Sequence, residues 1–292
     1  AYTNGTTINA GVLSMGNGAN ENINSMGTGT VTLNTGGSLW FQPGSTATTY
    51  NFPNMFVLNG GTIHAEDGNQ ALTNAITLNG AVTLSARYNG KNLWLGGSGA
   101  PIGGSGGFTV QPVNGYQNYA QVWLQGANTF SGGITVNNQG FVVGNNNASF
   151  STNTVTVNAG GMAYIYNCSI STPVALNGGA LYVGSAGTAA GTITLTAAGG
   201  SIRASTAYRP VTGKITGVGS LTIDGGDSTA GINISNPAND FQGNVTVNSA
   251  YGDQGRLQLG ASEVIPDTAV VTLNNGGFRA DTAYTETIAG LN

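Results

Sequence analysis

The chain has 292 residues, of which 6% are charged, 39% are apolar and 49 are Gly. Disorder needs high net charge and few β-branched residues, collagen needs a Gly-X-Y period, and a membrane-spanning helix needs about 18–20 consecutive apolar residues; the chain meets none of these conditions. The net charge is −4, and Arg87, Lys91, Arg203, Arg209, Lys214, Arg256 and Arg279 are scattered, so the clustered positive charge that binds nucleic acid is missing.

What remains is a skin of Asn, Thr, Ser and Gly over an aliphatic interior. Internal repeats decide how it is folded. Tyr2 leads into Thr6-Thr7-Ile8-Asn9, Phe130 into Ile134-Thr135-Val136-Asn137, and Phe241 into Val245-Thr246-Val247-Asn248. Each copy then reaches an apolar-Gly pair: Met15-Gly16, Val143-Gly144 and Leu259-Gly260. The third copy is longer, which predicts an insertion around Ser249 to Gly255. Each copy closes on Val-Thr-Leu/Val-Asn followed by a Gly pair, at Val31–Asn34, Val155–Asn158 and Val271–Asn274.

A finer unit lies inside the coarse one: an apolar-x-apolar strand, a polar corner, a Gly pair and a second alternating strand. Examples are Phe56-Val57-Leu58-Asn59-Gly60-Gly61 and Val174-Ala175-Leu176-Asn177-Gly178-Gly179. Short strands punctuated this often by Gly and Asn fit the rungs of a parallel β-solenoid. At about 22 residues per rung the fold is expected to be all-β, a single-stranded parallel β-helix of roughly 13 rungs, one domain over 1–292 without visible caps. Alternation sends Ile134 and Val136 into the bore and Thr135 outward. Corner residues Asn34, Asn59 and Asn79, and likewise Asn158, Asn177 and Thr196, are placed to form amide ladders along the axis. Two stretches depart from the pattern: Asn89 to Gly107, read as an excursion or wide turn, and Arg203 to Gly219, read as a projecting loop.

Chemistry-bearing residues are few. Adjacent Glu66 and Asp67 point to opposite faces of an extended strand and cannot form a dyad. Asp224-Gly225-Gly226-Asp227 reads as a solvated turn. His64 is the single histidine and Cys168 the single cysteine, so metal sites built on His/Cys spacing are excluded; His64 reads as a polar strand position and Cys168 as a buried thiol. Trp40, Trp94 and Trp123 could form a sugar-stacking strip, or pack in the core or at corners. No cofactor is implied.

Gly217-Val218-Gly219-Ser220-Leu221-Thr222-Ile223 followed by Asn239-Asp240-Phe241-Gln242-Gly243-Asn244-Val245-Thr246-Val247 resembles the autotransporter-associated β-strand repeat. Ile102-Gly103-Gly104 to Phe108-Thr109-Val110, followed by Asn128-Thr129-Phe130-Ser131-Gly132-Gly133-Ile134-Thr135-Val136, is similar to it as well. The resemblance implies a right-handed β-helical passenger of a bacterial surface protein, a stalk or scaffold without an active site.

Three functions stand as expectations. The first is a non-enzymatic extracellular fibre or surface stalk whose copies stack end to end. Ala1 begins inside a repeat, directly in polar β sequence and without a signal peptide, and Asn292 ends inside one, so the chain reads as mature or excised. The expected stacking residues are Ala1, Tyr2, Thr3, Thr6, Ile8, Thr287, Ile288, Ala289, Leu291 and Asn292. The second is an adhesin contacting cell-surface glycans through the tryptophans or through Arg203, Tyr208, Arg209 and Lys214. The third, which the sparse carboxylates disfavour, is a β-helical polysaccharide lyase or hydrolase.

Overall fold

The computed structural model describes residues 3–16, 26–42, 49–66, 68–87, 92–97, 99–113, 121–204, 207–225, 230–249, 256–280 and 283–292. Every regular element among them is a β-strand, and every pairing between strands is parallel. Residues 1–153 and 154–292 form two compact units, each a β-solenoid. The described residues make about 11 turns, close to the count that repeat length suggested.

In the first unit each rung contributes up to three strands, and strands stack in register on the rung before. Thr6–Ile8 pairs with Val31–Leu33, which pairs with Phe56–Leu58, then Ile76–Leu78 and Ile102–Gly104. A second stack runs Gly11–Met15, Gly37–Phe41, Thr62–Ala65, Val82–Ala86, Phe108–Val110 and Ile134–Val136. A third runs Thr49–Phe52, Asn69–Leu72, Asn92–Leu95, Gln121–Leu124 and Phe141–Gly144. Alternation is why these short sequences form strands that stack: Val31, Leu33, Phe56, Leu58, Ile76 and Leu78 are almost wholly buried, and the residue between each pair faces outward. Ile134 and Val136 are buried with Thr135 between them, as the alternation requires. Each buried Leu, Ile or Val contributes about 1.5–3 kcal/mol by leaving water. Corners are tight. Gly61 sits at φ +83°, and a Cβ there would lie 2.5 Å from the Gly37 carbonyl oxygen, so only Gly fits.

The second unit repeats this logic. One stack runs Val155–Asn158, Val174–Asn177, Ile193–Leu195 and Ile215–Gly217. Another runs Met162–Ile165, Ala180–Val183, Gly200–Ala204, Leu221–Gly225, Val245–Ser249, Val270–Asn274 and Gly290–Leu291. The third runs Ser169–Ile170, Thr188–Ala189, Tyr208–Val211, Gly231–Ile234, Arg256–Leu259 and Gly277–Arg279.

Two expectations are corrected here. Arg203 to Gly219 is not a projecting loop: Arg203 lies in the strand Gly200–Ala204, Tyr208 and Arg209 lie in Tyr208–Val211, and Lys214 immediately precedes Ile215–Gly217. The composition misled because charge here occupies ordinary strand positions: Arg203 is in register with Tyr182 and Asp224, and Arg209 with Ile232. The described part of Asn89 to Gly107, residues 92–97 and 99–107, likewise contains the strands Asn92–Leu95 and Ile102–Gly104 rather than an excursion or one wide turn. The insertion around Ser249 to Gly255 lies mostly outside the described residues, as do Ala1, Tyr2 and Asp67.

Candidate functional site

The polar side chains are used chiefly to tie one rung to the next. At one corner of the first unit Asn34 Nδ2 donates to Asn9 Oδ1 (2.8 Å), Asn59 Nδ2 to Asn34 Oδ1 (2.7 Å) and Asn79 Nδ2 to Asn59 Oδ1 (2.8 Å). In the second unit Asn177 Nδ2 donates to Asn158 Oδ1 (2.9 Å), and Thr196 Oγ1 to Asn177 Oδ1 (2.8 Å). These are the ladders expected from corner spacing. A further one joins Asn274 to Asn248 (3.3 Å) and Asn248 to Asp224 (3.2 Å). Asp224 also receives Arg203 Nε at 3.1 Å, so it is a ladder member on a strand and not part of a solvated turn, while Gly226 and Asp227 lie outside the described residues.

The Asn-x-aromatic motif has a three-rung role. Asn128 Oδ1 accepts from the Ile102 backbone N–H (2.9 Å), one rung before, and Asn128 Nδ2 donates to the Ser149 carbonyl (2.7 Å), one rung after. In the second unit Asn239 does the same with Ile215 N–H (2.7 Å) and the Val264 carbonyl (2.7 Å). The two halves of each motif copy are consecutive rungs. Thr129 and Ser131 donate to the Ile102 and Gly104 carbonyls, with Phe108 opposite Ile134. Asp240 and Gln242 donate to the Ile215 and Gly217 carbonyls, with Leu221 opposite Val245. Phe130 and Phe241, between these bonds, are buried; Phe130 meets Phe108 edge-on with ring centroids 5.3 Å apart.

The expected stacking residues fall on edge strands or beside them. Thr6 and Ile8 lie in Thr6–Ile8, which pairs on one side with Val31–Leu33; Thr6 Oγ1 donates to the Met26 carbonyl, and Ile8 is buried. Thr3 is exposed. In the second unit Leu291 lies in Gly290–Leu291, paired on one side with Val270–Asn274. Ala289 N–H and Asn292 N–H donate to the Ala269 and Val271 carbonyls, Thr287 donates to Glu263, and Ile288 is half-buried. Val12, on Gly11–Met15, and Leu291 are 60% and 57% exposed, unusual for large apolar side chains in this protein.

His64 stands on the side of Thr62–Ala65 opposite the core, yet it is fully buried. Its Nε2 lies 2.7 Å from Glu66 Oε2, Arg87 pairs with the other Glu66 oxygen, and Trp40 contacts its ring at 4.9 Å. Burial, and then the Arg87 cation, push the imidazole down to about 4, so it is neutral at physiological pH. Trp94 and Trp123 are register partners with half-exposed side chains on the outer face, and Trp40 also faces away from the bore, so none of the three packs in the core. Cys168 is buried, and burial raises its thiol to about 11, which leaves it protonated and unreactive.

The expected loop contacts are dispersed over separate partners. Lys214 Nζ pairs with Asp240 at 2.6 Å, which holds that carboxyl below its ordinary range. Tyr208 hydroxyl accepts from Arg256 (3.4 Å), and the Arg279 guanidinium lies 5.8 Å from its ring centroid. Arg209 stands at an inward register position opposite Ile232. Glu286 accepts from Val264 N–H (3.0 Å) and Ile265 N–H (2.8 Å), a role that sequence reading missed because its partners lie in the preceding rung. Among the described residues no group of three or more His, Cys, Asp and Glu is placed to hold a metal, and no helix is long and apolar enough to cross a membrane. Compared with protein-family models, curated proteins and solved structures, the chain has no match in any of the three.

Proposed function

We propose that this chain is a non-enzymatic structural solenoid of an extracellular fibre or bacterial surface stalk, similar to an autotransporter-type passenger, and that copies stack end to end. The observation that carries this reading is the use made of polar groups. Asn, Asp and Glu side chains link rung to rung through ladders and backbone staples, instead of converging on a groove as acid–base pairs do. A low-charge, ladder-stitched solenoid is suited to bearing load along its axis. The edge strands supply the joint. Among the described residues Thr6–Ile8 and Gly11–Met15 are paired on one side only, and Val12 is exposed on the second of them. Such an edge takes another strand, either further chain or a second copy. Electron microscopy of the purified chain over a concentration series tests the second option. Filaments lengthening with concentration, and shortened by Val12→Lys or Leu291→Lys, are expected. Monodisperse short rods at the highest concentration would sink stacking.

The half-exposed, register-paired Trp94 and Trp123 favour a second reading, glycan binding by an adhesin segment. A glycan array probed with the parent chain and with Trp94→Ala and Trp123→Ala tests it, and no binding by the parent ends it.

A further inference from the structure

The ladders bear on a chemical property of the chain that is independent of what the chain assembles with. Asn followed by Gly is the sequence at which the backbone nitrogen of the second residue most easily reaches the side-chain carbonyl carbon of the first, because Gly has no Cβ in the way. The new bond runs from that nitrogen to Cγ, the Cγ–Nδ2 bond breaks, and the hydrogen lost from the backbone nitrogen completes the departing NH2 group as ammonia. Water then opens the cyclic imide to Asp or iso-Asp. No enzyme or other reactant is needed.

Five Asn-Gly pairs lie within the described residues: Asn4-Gly5, Asn59-Gly60, Asn79-Gly80, Asn177-Gly178 and Asn275-Gly276. Exposure does not separate them, since Asn4, Asn79, Asn177 and Asn275 are all exposed and Asn59 is intermediate. Ladder bonding does. Asn59 is held at both ends, donating to Asn34 and accepting from Asn79. Asn177 is also held at both ends, between Asn158 and Thr196. In addition, the Gly178 N–H, the attacking group, is engaged by the Gly199 carbonyl at 2.8 Å. Asn79 is held at one end, through Nδ2. Asn4 and Asn275 belong to no ladder and make no side-chain hydrogen bond among the described residues. Beside Asn275 the ladder position is taken by Asn274, and Asn275, bridged to Asn248 through its backbone, stands outside it at φ +58°.

We propose that Asn4 and Asn275 are sites of spontaneous deamidation in the folded protein, and that ladder membership protects Asn59 and Asn177. To react, a ladder amide must turn out of its two bonds and swing towards its own following nitrogen. The reaction therefore proceeds only through a local opening. The order of conversion is Asn4 and Asn275 first, Asn79 next, and Asn59 and Asn177 last. The product matters most where it is slowest. An Asp at 59 has no N–H for Asn34 Oδ1 and sets two acceptors against each other, whereas an acid at 275 adds one negative charge at an exposed position whose backbone is bridged to Asn248.

The test is peptide mapping by mass spectrometry after timed incubation at mildly alkaline pH, in buffer and in urea. Urea opens every ladder and supplies each site's own unprotected rate. In buffer, Asn4 and Asn275 are expected to convert at close to their urea rates. Asn59 and Asn177 should be slower than in urea by at least about tenfold, the factor that an opening free energy of about 1.4 kcal/mol produces. Asn34→Ala, which unties one end of Asn59, should speed conversion at 59 and leave 177 unchanged. Conversion of Asn59 and Asn177 in buffer at the rate of Asn4, or an Asn34→Ala chain in which Asn59 is no faster, overturns the proposal. A variant that fails to fold is recognised by loss of protection at 177 as well, and the buffer-against-urea comparison on the parent chain still decides.

Discussion

Replacing Asn128 probes the staple that the repeat motif encodes. Its side chain is 3% exposed and holds two buried backbone groups, the Ile102 N–H at 2.9 Å and the Ser149 carbonyl at 2.7 Å. Asn128→Ala removes both partners and leaves a buried donor and a buried acceptor unpaired. Each such group costs about 1–3 kcal/mol, so the expected loss is about 4 kcal/mol. Asn128→Asp separates the two roles. The carboxylate still accepts from Ile102 N–H, but it faces the Ser149 carbonyl with an acceptor instead of a donor. At neutral pH it should therefore cost nearly as much as Ala. Acidification restores an O–H that can donate to Ser149, and the deficit should shrink. Native-state hydrogen exchange measures this locally through the Ile102 amide, and urea unfolding followed by the fluorescence of Trp94 and Trp123, in the neighbouring strands Asn92–Leu95 and Gln121–Leu124, reports the same part of the first unit. An Asn128→Ala chain within about 0.5 kcal/mol of the parent, with Ile102 still protected, would falsify the staple.

Two carboxylate and imidazole sites give opposite pH responses. His64 titrates near 4 in the fold against 6.5 unfolded, so between those values the unfolded chain binds more protons. Stability present above pH 6.5 is lost as pH falls towards 4, by about 3 kcal/mol in total, and His64→Gln should flatten that part of a denaturation-against-pH curve. Glu286 is shifted the other way: burial raises it above its ordinary 4.5, against the pull of the Val264 and Ile265 N–H groups. The folded chain then holds the proton more tightly, and this site loses stability as pH rises through the window just above 4.5. Glu286→Gln removes that dependence but can accept only one of the two backbone N–H groups, so exchange of residues 283–292 should quicken. Unchanged exchange there would contradict the assigned role.

Much of this was legible in the residues because a solenoid is nearly one-dimensional, and each rung meets its neighbours at short sequence separation. Alternation in Ile134-Thr135-Val136 decided which side chains enter the bore, and the corner spacing of Asn34, Asn59 and Asn79 decided the ladder. The motif around Asn128 and Asn239 was visible as a pattern, but not its work, since one amide there spans partners in two different rungs. Charge misled: Tyr208-Arg209-Pro210-Val211 reads as loop, yet forms a strand because its neighbours Gly231–Ile234 and the Val211 register position supply the core. That His64 is buried on the outer face was not legible, because Trp40, Glu66 and Arg87 gather around it only when the adjoining rungs stack.

Thus the sequence by itself determined the fold class, the strand alternation and the corner ladders, which are local and repeated. The tertiary structure alone decided which neighbour each corner meets, that Asn128 and Asn239 are staples, that His64 is desolvated, and that Asn4 and Asn275 stand outside the ladders holding Asn59 and Asn177. The physical reason is range. Periodicity fixes what a residue does within its own rung, whereas hydrogen-bond satisfaction and desolvation depend on the rungs before and after it.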